Sequence, residues 1–223
     1  MRTRHAVLAG LSAVTLAAPL ALAAPAPQVT DPAGDATFTA NAQSGAPGIP
    51  GANQAYADVL SISWAPTTKT IKKKTTFTGF TVTTVLSAPP TPPSPTSLVF
   101  RVLGQVNGDA AKTVGVVLYT ATPSDPAQPQ SALRDTLSGV TRLTKIDMPK
   151  IDGSTITWTV SASAFPKELT LPSTLSNLSF EVREIQDFRG QKVPAGVPTF
   201  GGAGGLAAGI VDDGKTMSTF PLG

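Results

Sequence analysis

Asp31-Pro32-Ala33-Gly34-Asp35 sets two carboxylates around a glycine turn, and Asp58 heads a strand-like run further on. A hard cation wants such a set: calcium gathers about six to eight oxygens from side chains, backbone carbonyls and water. A turn at Gly34 folds Asp31 and Asp35 around one ion, and Asp58 closes the site from the strand end. The spacing is not that of an EF-hand loop. The competing reading is turn chemistry alone, because Asp-Pro and Gly-Asp are turn formers in their own right. Asp212-Asp213-Gly214 is a second acidic stretch. It reads as a hairpin turn, and it lies near the N-terminal segment if the ends of the domain meet.

Other chemistries are excluded by composition. The 223 residues contain no cysteine, so disulfides, thiolate metal sites and thiol nucleophiles are absent. His5 is the only histidine and falls inside an N-terminal leader. Past the leader there is no histidine for a general base, a Ser-His-Asp triad or a metal ligand. No serine has a lysine three residues on, which removes the Ser-Lys dyad of the SxxK type. Gly201-Gly202-Ala203-Gly204-Gly205 lacks the lysine and the strand-to-helix setting of a phosphate loop.

Carboxylates are then the remaining acid-base groups. Glu181, Glu184 and Asp187 cluster in sequence. On a strand Glu181 and Glu184 point to opposite faces. Glu181 and Asp187 share a face but lie roughly 20 Å apart at ~3.3 Å per residue. Glycosidase pairs need about 5–9.5 Å, so the cluster reads as solvated surface charge. Lys69 and Lys72-Lys73-Lys74 form a basic run that reads as a solvated turn. Trp64 and Trp158 fall on the apolar parity of their strands and belong to a core. Tyr56 and Tyr119 are the better candidates for rings exposed to a ligand.

These groups must be held by strands. Leu60, Ile62 and Trp64 share one parity; so do Phe80, Val82 and Leu86, then Leu98, Phe100 and Val102, then Val114, Val116 and Leu118. Ile156, Trp158 and Val160 alternate with threonines, and Leu178, Phe180 and Val182 alternate with polar residues. Period-two alternation means strands with one buried and one wet face. Asn107-Gly108 predicts a hairpin between Leu98–Val106 and Thr113–Ala121. Asp152-Gly153 predicts a second between Ile146–Ile151 and Ser154–Ser161. Ser161–Phe165 has room for one helical turn before Pro166, and no segment sustains a helical period. Residues 24–57 read as ordered coil or short edge strands. The Pro-rich stretch 87–97, Ser124–Gln130 and the Gly-rich stretch 190–209 read as loops. The expectation is an all-β, two-sheet antiparallel sandwich, jelly-roll-like, with about eight strands and one domain over 24–223.

Residues 1–23 have the make-up of a secretory signal: Arg2 and Arg4, an uncharged apolar stretch, and Ala21-Leu22-Ala23 as a small-x-small cleavage site. The arginines are not adjacent, so the signal is of Sec type. Cleavage after Ala23 removes both, taking the formal net charge from +3 to +1. That leaves little pull on nucleic acid or an anionic membrane. No second apolar run approaches the ~20 residues needed to span a bilayer. The expected product is soluble and extracellular.

The DPxGD opening, the coil, and the Asp-headed strand Ala57-Asp58-Val59-Leu60-Ser61-Ile62-Ser63-Trp64 resemble the start of secreted actinobacterial β-sandwich domains. These are similar to the DOMON-like and family 9 carbohydrate-binding-module group. Gly153–Phe165 and Asp212-Asp213-Gly214 are similar to that group's later segments. The resemblance implies a jelly-roll-type sandwich, often calcium-bearing, that takes sugar, haem or no known ligand. This chain departs from it in having no histidine for haem, which leaves Met148 and Met217, and in lacking an exposed tryptophan pair. The sequence therefore predicts a non-catalytic binding or surface-associated module with Ca2+ at Asp31, Asp35 and Asp58. Its expected partner is an extracellular glycan or cell-envelope component. A carboxylate-dependent glycan hydrolase and an extracellular protein-interaction domain are the alternatives.

Overall fold

The computed structural model describes residues 26–37, 39–40, 53–92, 96–120, 129–137, 139–187 and 206–223. The leader, the middle of the Pro-rich stretch, most of 121–129 and the Gly-rich run up to 205 lie outside the described residues. The described chain is all-β apart from one 3-10 turn at Ala162–Ala164, which Ser161 caps by accepting the Ser163 amide. No helix among these residues is long and apolar enough to cross a membrane.

The strands are β1 (Val29–Thr30), β2 (Thr39–Ala40), β3 (Val59–Ile71), β4 (Lys74–Leu86), β5 (Thr96–Val106), β6 (Thr113–Tyr119), β7 (Gln130–Thr136), β8 (Thr141–Lys145), β9 (Lys150–Asp152), β10 (Thr155–Ser161), β11 (Ser173–Asp187), β12 (Leu206–Thr216) and β13 (Phe220–Leu222). They form two antiparallel sheets. The smaller runs β1-β3-β4-β10-β9; the larger runs β2-β12-β11-β5-β6-β7-β8, with β13 paired to the start of β11. The two-sheet sandwich is as the alternation predicts.

The strands are more numerous than the eight expected, for two reasons. The N-terminal coil, the β9 edge and the C-terminal β13 contribute strands of two or three residues, too short to show a period. In addition, β7 faces the core with Ser131, Leu133 and Asp135, and β12 with Asp212, Gly214 and Thr216. Polar inward positions hide the period. Leu206–Gly209, expected as loop, is therefore strand, as are Thr96–Ser97.

Both predicted turns are present, the second with a shorter first arm than Ile146–Ile151: only Lys150–Asp152 is strand there. β5 pairs β6 across Asn107-Gly108, whose φ values are 51° and 75°. β9 pairs β10 across Gly153, at φ 57°. The basic run is also a turn: Lys72 and Lys73 join β3 to β4 with φ of 48° and 68°. Positive φ at both central residues is the geometry that matches the twist of a two-residue hairpin.

One core fills the space between the sheets. Trp64, Phe80, Trp158, Phe100 and Phe220 are each at most 2% exposed, and Trp64 packs on Phe80 and Phe220 at 5.0 and 5.6 Å between ring centroids. The outward face of the smaller sheet is of a different kind. Register aligns Ser63, Thr83 and Thr157, then Ala65, Thr81 and Thr159, across β3, β4 and β10. On β3, β4 and β10 those rows carry no charge; the first meets Lys150 only at the β9 edge.

Candidate metal centre

The site lies where β1, the start of β3 and β12 meet. β1 pairs β3 through Val29 and Ile62, and Asp31 follows with its amide on the Leu60 carbonyl at 3.1 Å. The chain then turns at Gly34, whose φ of 94° favours glycine. That turn brings the Gly34 amide to 2.8 Å from Asp58 Oδ2. Asp58, fully buried at the head of β3, accepts through the same oxygen from Asn53 Nδ2 at 3.2 Å and Ser87 Oγ at 2.7 Å. Its other oxygen, Oδ1, is shielded from solvent and has no hydrogen bond.

The next residue, Val59, donates its amide to Asp212 Oδ2 at 2.6 Å. Asp212 is inward-facing because β12 is irregular there: Val182 pairs Asp212 while Arg183 pairs Ile210, so Val211 is an extra residue. Such a bulge re-aims the side chains beside it, and Val211 and Asp212 are consecutive and both buried. Gly214 leaves the space that Phe180 and Asp31 occupy: a Cβ there would meet Phe180 Cε1 at 2.5 Å and Asp31 Oδ1 at 3.2 Å.

Carboxylate oxygens of Asp31, Asp35 and Asp212 come within 4.8 Å of one another. Calcium binds oxygen at about 2.3–2.6 Å, so oxygens across one ion stand roughly 5 Å apart. The three oxygens therefore fit a single coordination shell. No described lysine or arginine forms an ion pair with any of these aspartates. Burial pushes the Asp212 carboxyl up to about 7, and the charges of Asp31, Asp35 and Asp58 add to it against the Val59 hydrogen bond. Burial and the neighbouring Asp35 likewise raise Asp31. A site that penalises its own negative charge in this way gains from a cation.

Asp31 and Asp35 thus converge as the turn implies. Asp58 is not one of the three clustered residues; one of its oxygens is committed to holding the turn. Asp212 takes the third place. The acidic stretch around it is not a hairpin turn but a strand, set beside the N-terminal segment by the pairing of β12 in the larger sheet.

The other candidates fall elsewhere. Tyr56 packs against the core, and its hydroxyl donates to Gln54 Oε1 at 2.7 Å. Burial first, and then the charge of Glu184, push its phenol up to about 12. Tyr119 is half-buried on the outward face of β6, opposite Val99 and Gln130. Met148 and Met217 are both exposed. Glu181 and Glu184 do point to opposite faces, but Glu184 is not a solvated charge: it is 1% exposed and accepts from Thr96 Oγ1 at 3.3 Å.

Comparison with known proteins gives no matching family model, curated protein or solved structure. The reading of function therefore rests on the site itself.

Proposed function

We propose that this chain is a secreted, non-catalytic binding or surface-associated β-sandwich module, with an extracellular glycan or cell-envelope component as its partner. In this reading a calcium ion held by Asp31, Asp35 and Asp212 ties the N-terminal segment to the sandwich. The observation that carries it is the convergence of those three carboxylates, beside a buried fourth, with no described cation to balance them. The segment gains from such a tie, because β1 and β2 pair over only two residues each. Binding energy gained only in the folded state adds directly to stability.

The test is thermal unfolding of residues 24–223 in EDTA and in millimolar calcium. At ~100 times Kd a ligand adds about 2.7 kcal/mol, which for a chain of this size is roughly 5–10 °C. The rise should disappear in the Asp31→Ala, Asp35→Ala double variant. Equal melting with and without calcium in the parent protein would sink the reading.

A second reading, hydrolysis by paired carboxyls, draws on the same cluster, since Asp212 titrates near neutrality beside Asp31. It is the weaker one. Asp212 is 6% exposed and bonded to a backbone amide, whereas a general acid must reach its substrate.

A further inference from the structure

We propose that the outward face of the larger sheet carries an oxyanion-binding groove with Arg134 at one end, and that its ligand is an acidic glycan, a sugar chain bearing carboxylate or phosphate. The proposal rests on the binding-module reading and gives it a site and a ligand class.

The groove follows from register. One row across β12, β11, β5, β6 and β7 reads Lys215, Ser179, Leu103, Gly115 and Arg134. The next row contains Asp213, Glu181 and Arg101. Ser179 and Gly115 are small, and Leu103 lies over Gly115, where an added Cβ would meet Leu103 Cδ2 at 2.6 Å. A depression of about 460 Å³ results, with Leu103 in its lining and basic residues at both ends. That volume is within the range of small-ligand sites.

The charges in the groove are not equivalent. Glu181 is committed: Arg101 Nη1 lies at 2.9 Å and Arg183 Nε at 2.6 Å from it. Burial would raise its carboxyl, but the two arginines outweigh burial and hold it below the usual range. Arg134 has no such partner. It is half-buried, its Nε is shielded from solvent without a hydrogen bond, and no described carboxylate is within ion-pair distance. Lys215 at the other end also lacks an ion pair among the described residues.

A guanidinium with one nitrogen shielded from water and no ion-pair partner among the described residues is matched by a planar carboxylate or a phosphate, which its remaining nitrogens can grip with two parallel hydrogen bonds. The rest of the lining selects the body of the ligand. Leu103 offers apolar surface to a sugar ring, and Glu181 and Asp213 can accept from its hydroxyls. The same two acids repel a densely charged polymer such as a nucleic acid.

The experiment is calorimetric titration of residues 24–223, in calcium buffer, with a hyaluronan tetrasaccharide as the carboxylate probe and mannose 6-phosphate as the phosphate probe. Chitotetraose serves as the uncharged control. Saturable binding of at least one acidic probe is expected. Arg134→Ala should weaken it at least tenfold, and Arg134→Lys and Lys215→Ala less. The Lys72→Ala, Lys73→Ala, Lys74→Ala variant, altered on the far hairpin, should stay within twofold of the parent. Melting curves on the same samples confirm folding. They also report the calcium response separately, so loss of one reading is not mistaken for loss of the other. Failure of both acidic probes overturns the proposal. So does binding that survives Arg134→Ala or is abolished by the triple lysine change. Equal binding of chitotetraose, indifferent to Arg134, would leave the module reading standing and remove the oxyanion site.

Discussion

The amide of Val59 and the carboxylate of Asp212, 153 residues apart in the chain, meet at 2.6 Å. This one hydrogen bond joins the first long strand of the smaller sheet to the penultimate strand of the larger. It also holds the Asp212 carboxyl beside those of Asp31 and Asp35, whose charges oppose its ionisation.

Stability should depend on pH through Asp212. Its folded value is about 7 against an ordinary 3.8, so the folded state binds more protons than the unfolded between those limits. Stability in EDTA therefore falls as pH rises from about 4 to about 7, by on the order of 2–4 kcal/mol. Calcium should oppose the fall. Asp212→Asn keeps an acceptor for Val59, so it should flatten the slope in EDTA and abolish the calcium response. Urea midpoints across pH would check both; an unchanged slope would mean that Asp212 is not the titrating group.

Asp58 should matter with or without metal. Its Oδ2 accepts from Gly34, Asn53 and Ser87. Asp58→Ala leaves three donors without their acceptor in a buried corner and should cost about 2–4 kcal/mol. Chemical denaturation in EDTA measures this. A loss seen only in calcium would instead make Asp58 chiefly a ligand.

Gly214→Ala tests the packing behind the site. The added methyl would press on the Phe180 ring and on Asp31. Overpacking of this kind costs about 1–3 kcal/mol, and displacement of Asp31 should weaken calcium binding as well. Titration with calcium alongside thermal melting separates the two effects.

The hairpin tip offers a stabilising change. Lys72 and Lys73 hold positive φ, which suits Asn and Gly better than lysine. Lys72→Asn with Lys73→Gly should raise stability by about 1 kcal/mol and leave calcium binding unaltered. A lower melting temperature would mean that the lysines contribute something beyond the turn.

Sequence alternation made the sandwich and both hairpins legible because Trp64, Phe80, Phe100 and Trp158 face the core from strands that are otherwise polar. It could not reveal β12, where Asp212, Gly214 and Thr216 take the inward positions. The site was half legible for the same reason. Asp31 and Asp35 flank one turn, and local spacing brings them together. Asp212 arrives only through pairing of β12 with β11 and the bulge at Val211, a long-range register that no local pattern encodes. The role of Asp58 in the turn was not legible, because an acid heading a strand looks the same in sequence whether it holds a metal or a turn. The groove at Arg134 was hidden too, since its row draws one residue from each of five strands.

The hydroxyl rows on the smaller sheet have a consequence for how the molecule keeps its coat of water. Ser63, Thr83 and Thr157, with Thr81 and Thr159 beside them, neither titrate near neutrality nor attract counterions. Hydration of those rows, inside the charged β9 edge at Lys150, therefore responds little to acid, alkali or salt, where a face coated with lysine and glutamate would be screened or discharged. For a protein with so small a net charge, solubility of this part of the surface then depends on bound water more than on electrostatic repulsion.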